Sequence, residues 1–169
     1  YDVTLPTEYA YKSKSEGGIW EEGDLRRDES IRYDFTYLGI TPTEVSWGAD
    51  ELDPHIKKYE DERTDQFNGN LANEWYSGKN FIVLRYADVL LCYAECLNEL
   101  GETGQANTIV NQVRARAWGG TLPNEMAWNY GQDEFRTQIM NERIRELCFE
   151  GWRRMDLIRT GKFVELIKE

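Results

Sequence analysis

Leu84–Ala117, LRYADVLLCYAECLNELGETGQANTIVNQVRARA, decides the fold. Its first arm places Leu90, Leu91, Ala94, Leu97 and Leu100 at three- and four-residue steps, one apolar stripe on a 3.6-residue helix. Gly101 follows, where a left-handed residue ends a helix at least cost. The second arm keeps the period through Ala106, Ile109, Val110, Val113 and Ala117, and Gly119-Gly120 stops it. Two antiparallel helices are expected. Leu90, Tyr93, Ala94, Leu97, Gly101, Ala106, Val110 and Val113 also fall at the offsets of large and small residues in a tetratricopeptide unit. An ordinary αα-hairpin shares that period, and a lone repeat unit leaves a face for a neighbour.

On the C-terminal side, Trp118–Gly131 reads as a loop. Asp133 is expected to cap a third helix with Phe135, Ile139, Met140, Ile144, Leu147 and Cys148 as its buried stripe. Gly151 closes it. A shorter helix runs through Met155, Leu157 and Ile158 to Gly161, and Phe163–Ile167 begins another turn. Met140, Ile144, Leu147 and Gly151 echo the hairpin's spacing, as a degenerate second unit would.

On the N-terminal side the order is looser. Ile31, Tyr33, Phe35 and Tyr37 alternate with Arg32, Asp34, Thr36 and Leu38, the period of a half-buried strand. Trp20 sits in the charged turn GGIWEEGDLRRDE, and Pro42, Gly48 and the Asp53–His55 step read as loop. Asp65–Lys79, with Trp75-Tyr76, is a polar loop, and Phe81–Val83 runs extended into the first helix. The expected organisation is a loop-rich segment with short strands over 1–80 and a helical region over 81–169, together part of one larger domain.

With 169 residues the chain can bury roughly two-thirds of its unfolded surface. A net charge of −11 argues against nucleic acid as partner, since phosphate binding needs clustered cations. No apolar run approaches the ~20 residues of a membrane span, and Tyr1 is not an initiator methionine, so an N-terminal part is expected to be missing. Cys92, Cys96 and Cys148 read as small buried apolar residues. Cys-x3-Cys with no nearby histidine is not a zinc pattern.

Catalytic signals are sparse. His55 is the only histidine and no nucleophile-elbow or metal-binding spacing surrounds it, so no catalytic residue, metal or cofactor is expected. Glu142, Glu146 and Glu150 form a row with neighbours roughly 6 Å apart on one helix face. Glycosidases set two carboxyls ~5–9.5 Å apart, which makes a hydrolase using this row the enzymatic rival. Yet Arg145 follows Glu142 at i+3, and Arg153 and Arg154 follow Glu150 at i+3 and i+4. Carboxylates among guanidinium groups stay ionised, the wrong state for a general acid, so a structural ion-pair network is expected. Trp20, Trp47, Trp75, Tyr76, Trp118 and Trp128 are all expected in loops, where flat aromatic faces stack on sugar rings or anchor the loop.

The runs NFIVLRYADVLLCYAECLNELG, ANTIVNQVRARA and NERIRELCFEGWRRMDLIRTGKF, in that order, closely resemble the C-terminal region of SusD/RagB-type nutrient-binding proteins. Arg85, Asp88 and Glu95 match in the first block and Arg114 in the second. Glu142, Arg143, Glu146, Glu150, Arg153 and Asp156 match in the third, and Asp24 with Arg26 looks like the family's Asp-x-Arg step. These motif residues are assigned to structure. The resemblance implies a mainly α fold of tetratricopeptide-like helical hairpins. It further implies an outward-facing outer-membrane lipoprotein that captures oligosaccharide, or in some members peptide, for a TonB-dependent SusC-like barrel. It implies no enzymatic activity, and membrane contact only through a lipid anchor outside this chain. The chain is expected to be an internal fragment of such a protein. A repeat scaffold that binds only a protein partner is the alternative.

Overall fold

The computed structural model describes residues 5–33, 53–60 and 79–167. The chain divides into two compact units, Tyr1–Glu22 with Arg27–Ile82, and Gly23–Arg26 with Val83–Glu169.

The second unit is helical. Its helices are α3 (Tyr86–Glu99), α4 (Thr103–Ala117), α5 (Gln132–Glu146), α6 (Trp152–Arg159) and α7 (Phe163–Ile167). Helices α3 and α4 form the expected tetratricopeptide-like hairpin, with Gly101 left-handed at φ 85° after the last turn of α3. Ala94 and Ala106 are both fully buried where the two helices meet. Leu91, Leu97, Val110 and Val113 fill the space around them, and α5 adds Phe135, Ile139 and Met140. This apolar cluster is what removes the hairpin's inner face from water.

Several expectations change in this unit. Helix α5 ends at Glu146 rather than at Gly151, and Gly151, left-handed at φ 82°, stands instead at the N-cap of α6. Leu100 is 79 % exposed, because Asn98 takes the inward position instead. The Asn98 amide donates to the Gln132 carbonyl at 3.1 Å and its oxygen accepts from Thr103 at 2.9 Å. Cys92 and Cys96 are exposed rather than buried, since the inward stripe runs Ala87, Leu91, Ala94 and Asn98, leaving both thiols on another face. Helix α5 starts at Gln132 behind an extended Gly131, whose carbonyl accepts from Phe135 N at 2.9 Å. Asp133 is therefore not the cap. It lies in the first turn, where its charge suits the helix dipole.

The first unit holds α1 (Glu8–Tyr11), most of the single-turn α2 (Arg26–Ser30), and a two-stranded sheet. Strand β1 (Ile31–Arg32) pairs antiparallel with β2 (His55–Ile56), setting Ile31 opposite Ile56 and Arg32 opposite His55. His55, read as loop from its proline neighbour, is thus part of a strand. The alternation predicted through Tyr37 is seen only at its start, because Phe35 and Tyr37 lie outside the described residues. Among the turns, Gly18 is required by close approach: a Cβ there would sit 2.0 Å from the Lys12 carbonyl oxygen.

Candidate functional site

The polar centre of the second unit is built on α5. Spacing of four residues puts Glu142 and Glu146 on one side of the helix, and both are buried, as is Glu150 in the turn that follows. Arg26 reaches this row: its Nη1 donates to Glu142 at 2.7 Å and to Glu146 at 3.0 Å. Its Nε and Nη2 grip both oxygens of Asp24 at 2.8 and 2.6 Å, so Asp24 fixes the plane of the guanidinium. Arg114 and Arg145 donate to the other Glu142 oxygen at 2.9 and 2.7 Å. Arg85 binds Glu150 at 2.8 Å and also Glu146, which Arg116 joins.

A second chain of pairs ties α6 to α3 and α5. Arg143 lies 2.8 Å from both Asp88 and Asp156, and Arg159 bridges Asp156 to Glu95, each at 2.8 Å. Of the motif residues predicted to be structural, Arg153 alone is exposed on α6.

These contacts set the charge states. Burial pushes the Glu142 carboxyl up, but Arg26, Arg145 and Arg114 outweigh it and hold the group well below the usual carboxylate range. Glu146 is also lowered: burial opposes, and Arg26 and Arg85 prevail. Both therefore stay ionised. A carboxylate in that state cannot deliver a proton to a leaving group, so the row cross-links helices rather than supplying a general acid. Among the described residues no cluster of three or more His, Cys, Asp or Glu side chains could hold a metal ion.

The aromatic candidates separate. Trp20 is 1 % exposed and donates from Nε1 to the Ala10 carbonyl at 2.5 Å, so it anchors its turn and offers no face. Trp128 is 4 % exposed and meets Phe135 edge-on at 5.6 Å. Its backbone is held by Asn111, which accepts from Trp128 N at 2.8 Å and donates to its carbonyl at 3.0 Å. Asn107, one turn earlier on α4, grips Tyr130 in the same way. Of the two readings open for these aromatics, ligand stacking or loop anchoring, the burial of Trp20 and Trp128 fits the second, because loop packing covers both rings. Trp118 is half-buried, with the Arg114 guanidinium 4.9 Å from its ring centre, and Trp128 flanks the same cation at 5.4 Å. Trp47, Trp75 and Tyr76 lie outside the described residues.

Two of the clefts among the described residues open on this unit. One, of about 230 Å³, lies over Phe135, Ile139 and Met140, and its rim charges Glu99 and Arg136 pair with each other at 2.7 Å. The other, of about 200 Å³, lies between α3 and α4 and is lined by Tyr86, Leu90, Gln112, Val113 and Arg116. Sequence reasoning missed it. Its one signal was Tyr86, a large aromatic off the inward stripe, 74 % exposed.

The profile of the SusD family matches residues 6–168 of this sequence. The chain belongs to the SusD family. Among its relatives, SusD-like protein P38 of Formosa agariphila is 40 % identical over 155 residues, covering 88 % of this chain and 28 % of that protein. SusD-like protein P2 of the same organism is 41 % identical over 110 residues, covering 63 % of this chain and 21 % of that protein. The crystal structure of a SusD homolog from Bacteroides thetaiotaomicron superposes with a TM-score of 0.61 at 27 % identity, over 86 % of this chain and 31 % of that one. This SusD-family chain thus spans less than a third of the length of these relatives. No helix among its described residues is long and apolar enough to cross a membrane.

Proposed function

We propose that this SusD-family chain serves a cell-surface nutrient-binding protein that captures oligosaccharide. The family match over residues 6–168 carries this reading. In it, the protein is an outward-facing outer-membrane lipoprotein and hands its ligand to a TonB-dependent, SusC-like barrel. It binds without chemistry and needs no cofactor. The charge state of the α5 carboxylates supports that view, because they are committed to helix cross-links. Trp47, Trp75, Tyr76 and Trp118 remain the tryptophan and tyrosine candidates named from the sequence for ligand contact.

Native gels cast with soluble starch, xylan, galactomannan or laminarin test the reading. Retardation by one glycan class is the expected result. Retardation by none, with the protein folded by circular dichroism, overturns glycan capture. Binding of a peptide pool instead would make peptide the nutrient.

A further inference from the structure

We infer that Gly23–Arg26 is a latch on the helical unit: a short strap, held by the Arg26 guanidinium, that docks and releases as one piece while the helices beneath it stay cross-linked.

The strap belongs to the helical unit although its neighbours in sequence do not. Glu22 and Arg27 both fall in the first unit, whereas Gly23–Arg26 is part of the second. Its seat is built from α4 and α5. In the last turn of α4 the carbonyls of Arg114, Ala115 and Arg116 accept from Trp118, Gly119 or Gly120, residues just beyond the helix. The Ala117 carbonyl, in the same turn, takes the Leu25 N–H at 3.0 Å, so the strap satisfies one of the groups that a helix end leaves open. Beside it Gly23 lies against Trp118. A Cβ at Gly23 would come within 3.1 Å of the indole Nε1, and its φ of 81° is one that L side chains rarely adopt. Asp24 and Arg26 are buried and Leu25 between them is 52 % exposed, so the strap turns its charges inward.

Arg26 is the main hold, and it is a removable one. Its guanidinium sits between Glu142 and Glu146, at 2.7 and 3.0 Å. Neither carboxylate depends on it alone. When Arg26 leaves, Glu142 keeps Arg114 and Arg145, and Glu146 keeps Arg85 and Arg116. Release carries the paired Asp24 and Arg26 to water together and leaves no buried carboxylate bare. The large cost of opening a buried ion pair comes from the charge left behind, and here that charge retains partners. The apolar cluster of Leu91, Val110, Phe135 and Ile139 that joins α3, α4 and α5 contains no strap residue. Opening the strap is therefore a local event, distinct from parting the helices.

Hydrogen exchange of the protein in low urea reads the latch, because the Leu25 N–H is bonded to Ala117 only while the strap is docked. Leu25 is expected to be less protected than the amides of Val110 and Ile139. Its exchange should scarcely respond to urea, since a strap of this length exposes little surface, whereas theirs should steepen. Arg26→Gln is expected to speed Leu25 exchange by roughly ten- to a hundredfold with the helical circular dichroism retained. Gly23→Ala touches no charge but crowds Trp118 and strains the backbone, and should speed it roughly tenfold. Leu25 sharing the protection and urea slope of Val110 and Ile139 would make the strap an integral part of the core and overturn the latch. Loss of the helical signal in either variant would do the same. Leu25 exchange unchanged by Arg26→Gln would overturn it from the other side, because the guanidinium would not be what holds the strap.

Discussion

Arg26 Nη1 lies 2.7 Å from Glu142 Oε1, across 116 residues of sequence, and neither side chain is more than 11 % exposed. The same Glu142 also receives Arg114 and Arg145. Three guanidinium groups thus depend on one buried carboxylate. Replacing Glu142 by Gln keeps the volume and removes the charge that holds them. Breaking one partner of such a pair costs about 3–5 kcal/mol, because the cations stay behind uncompensated. A drop of that size in urea stability is expected. A loss under about 1 kcal/mol would show that water reaches these arginines.

Acid is expected to weaken the fold through the same groups. The folded Glu142 and Glu146 carboxyls lie below their ordinary value of 4.5, so near that pH the unfolded chain binds more protons than the folded one. Their contribution is fully present above 4.5 and is lost as pH falls below it toward the folded values. The urea midpoint should fall on acidification below about pH 4.5, and the slope should be shallower in Glu142→Gln. An identical slope in both proteins would move the acid sensitivity elsewhere.

Leu91 tests the hairpin core. It is fully buried between Ala94, Val110 and their neighbours, so Leu91→Ala is expected to cost about 2–5 kcal/mol. A loss below roughly half a kcal/mol would refute the burial.

Trp128 is expected to behave as a core residue despite its loop position. Its ring packs on Phe135 and Tyr130, and Trp128→Ala should destabilise by about 3–5 kcal/mol in thermal melts. Unchanged melting with weaker glycan retardation would return it to the ligand contacts.

The cysteines give a chemical readout of side-chain direction. Cys92 and Cys96 are exposed and Cys148 is buried, so a thiol reagent is expected to titrate two groups in the native protein and the third only after denaturation. Burial pushes the Cys92 thiol up, with Arg143 opposing, which makes its labelling faster at higher pH. One native thiol, or three, would contradict the placement of these side chains.

Much of the helical region was legible because helices announce themselves locally. The steps from Leu91 to Ala94 and from Ala106 to Val110 and Val113 are properties of adjacent turns, and they predict the hairpin without knowledge of any partner. The glutamate row on α5 was legible for the same reason, as was its pairing with Arg145 at i+3. Its other partners were not. Arg26 and Arg85 come from distant segments, and spacing along one helix says nothing of what folds against it. The start of α5 was misread because Asp133 has the chemistry of a cap while the first backbone bond forms from Gly131.

The sequence by itself determined the helix periods, the charge row and the family blocks, since each is set by residue type at fixed local spacing. Only the tertiary structure decided which side chains are covered. Trp20 and Trp128 are buried and Tyr86 is open, although all three are aromatic. Cys92 and Cys96 face outward although small thiols usually pack inside. Burial depends on the neighbours that long-range folding brings, and the spacing of a single segment does not contain them.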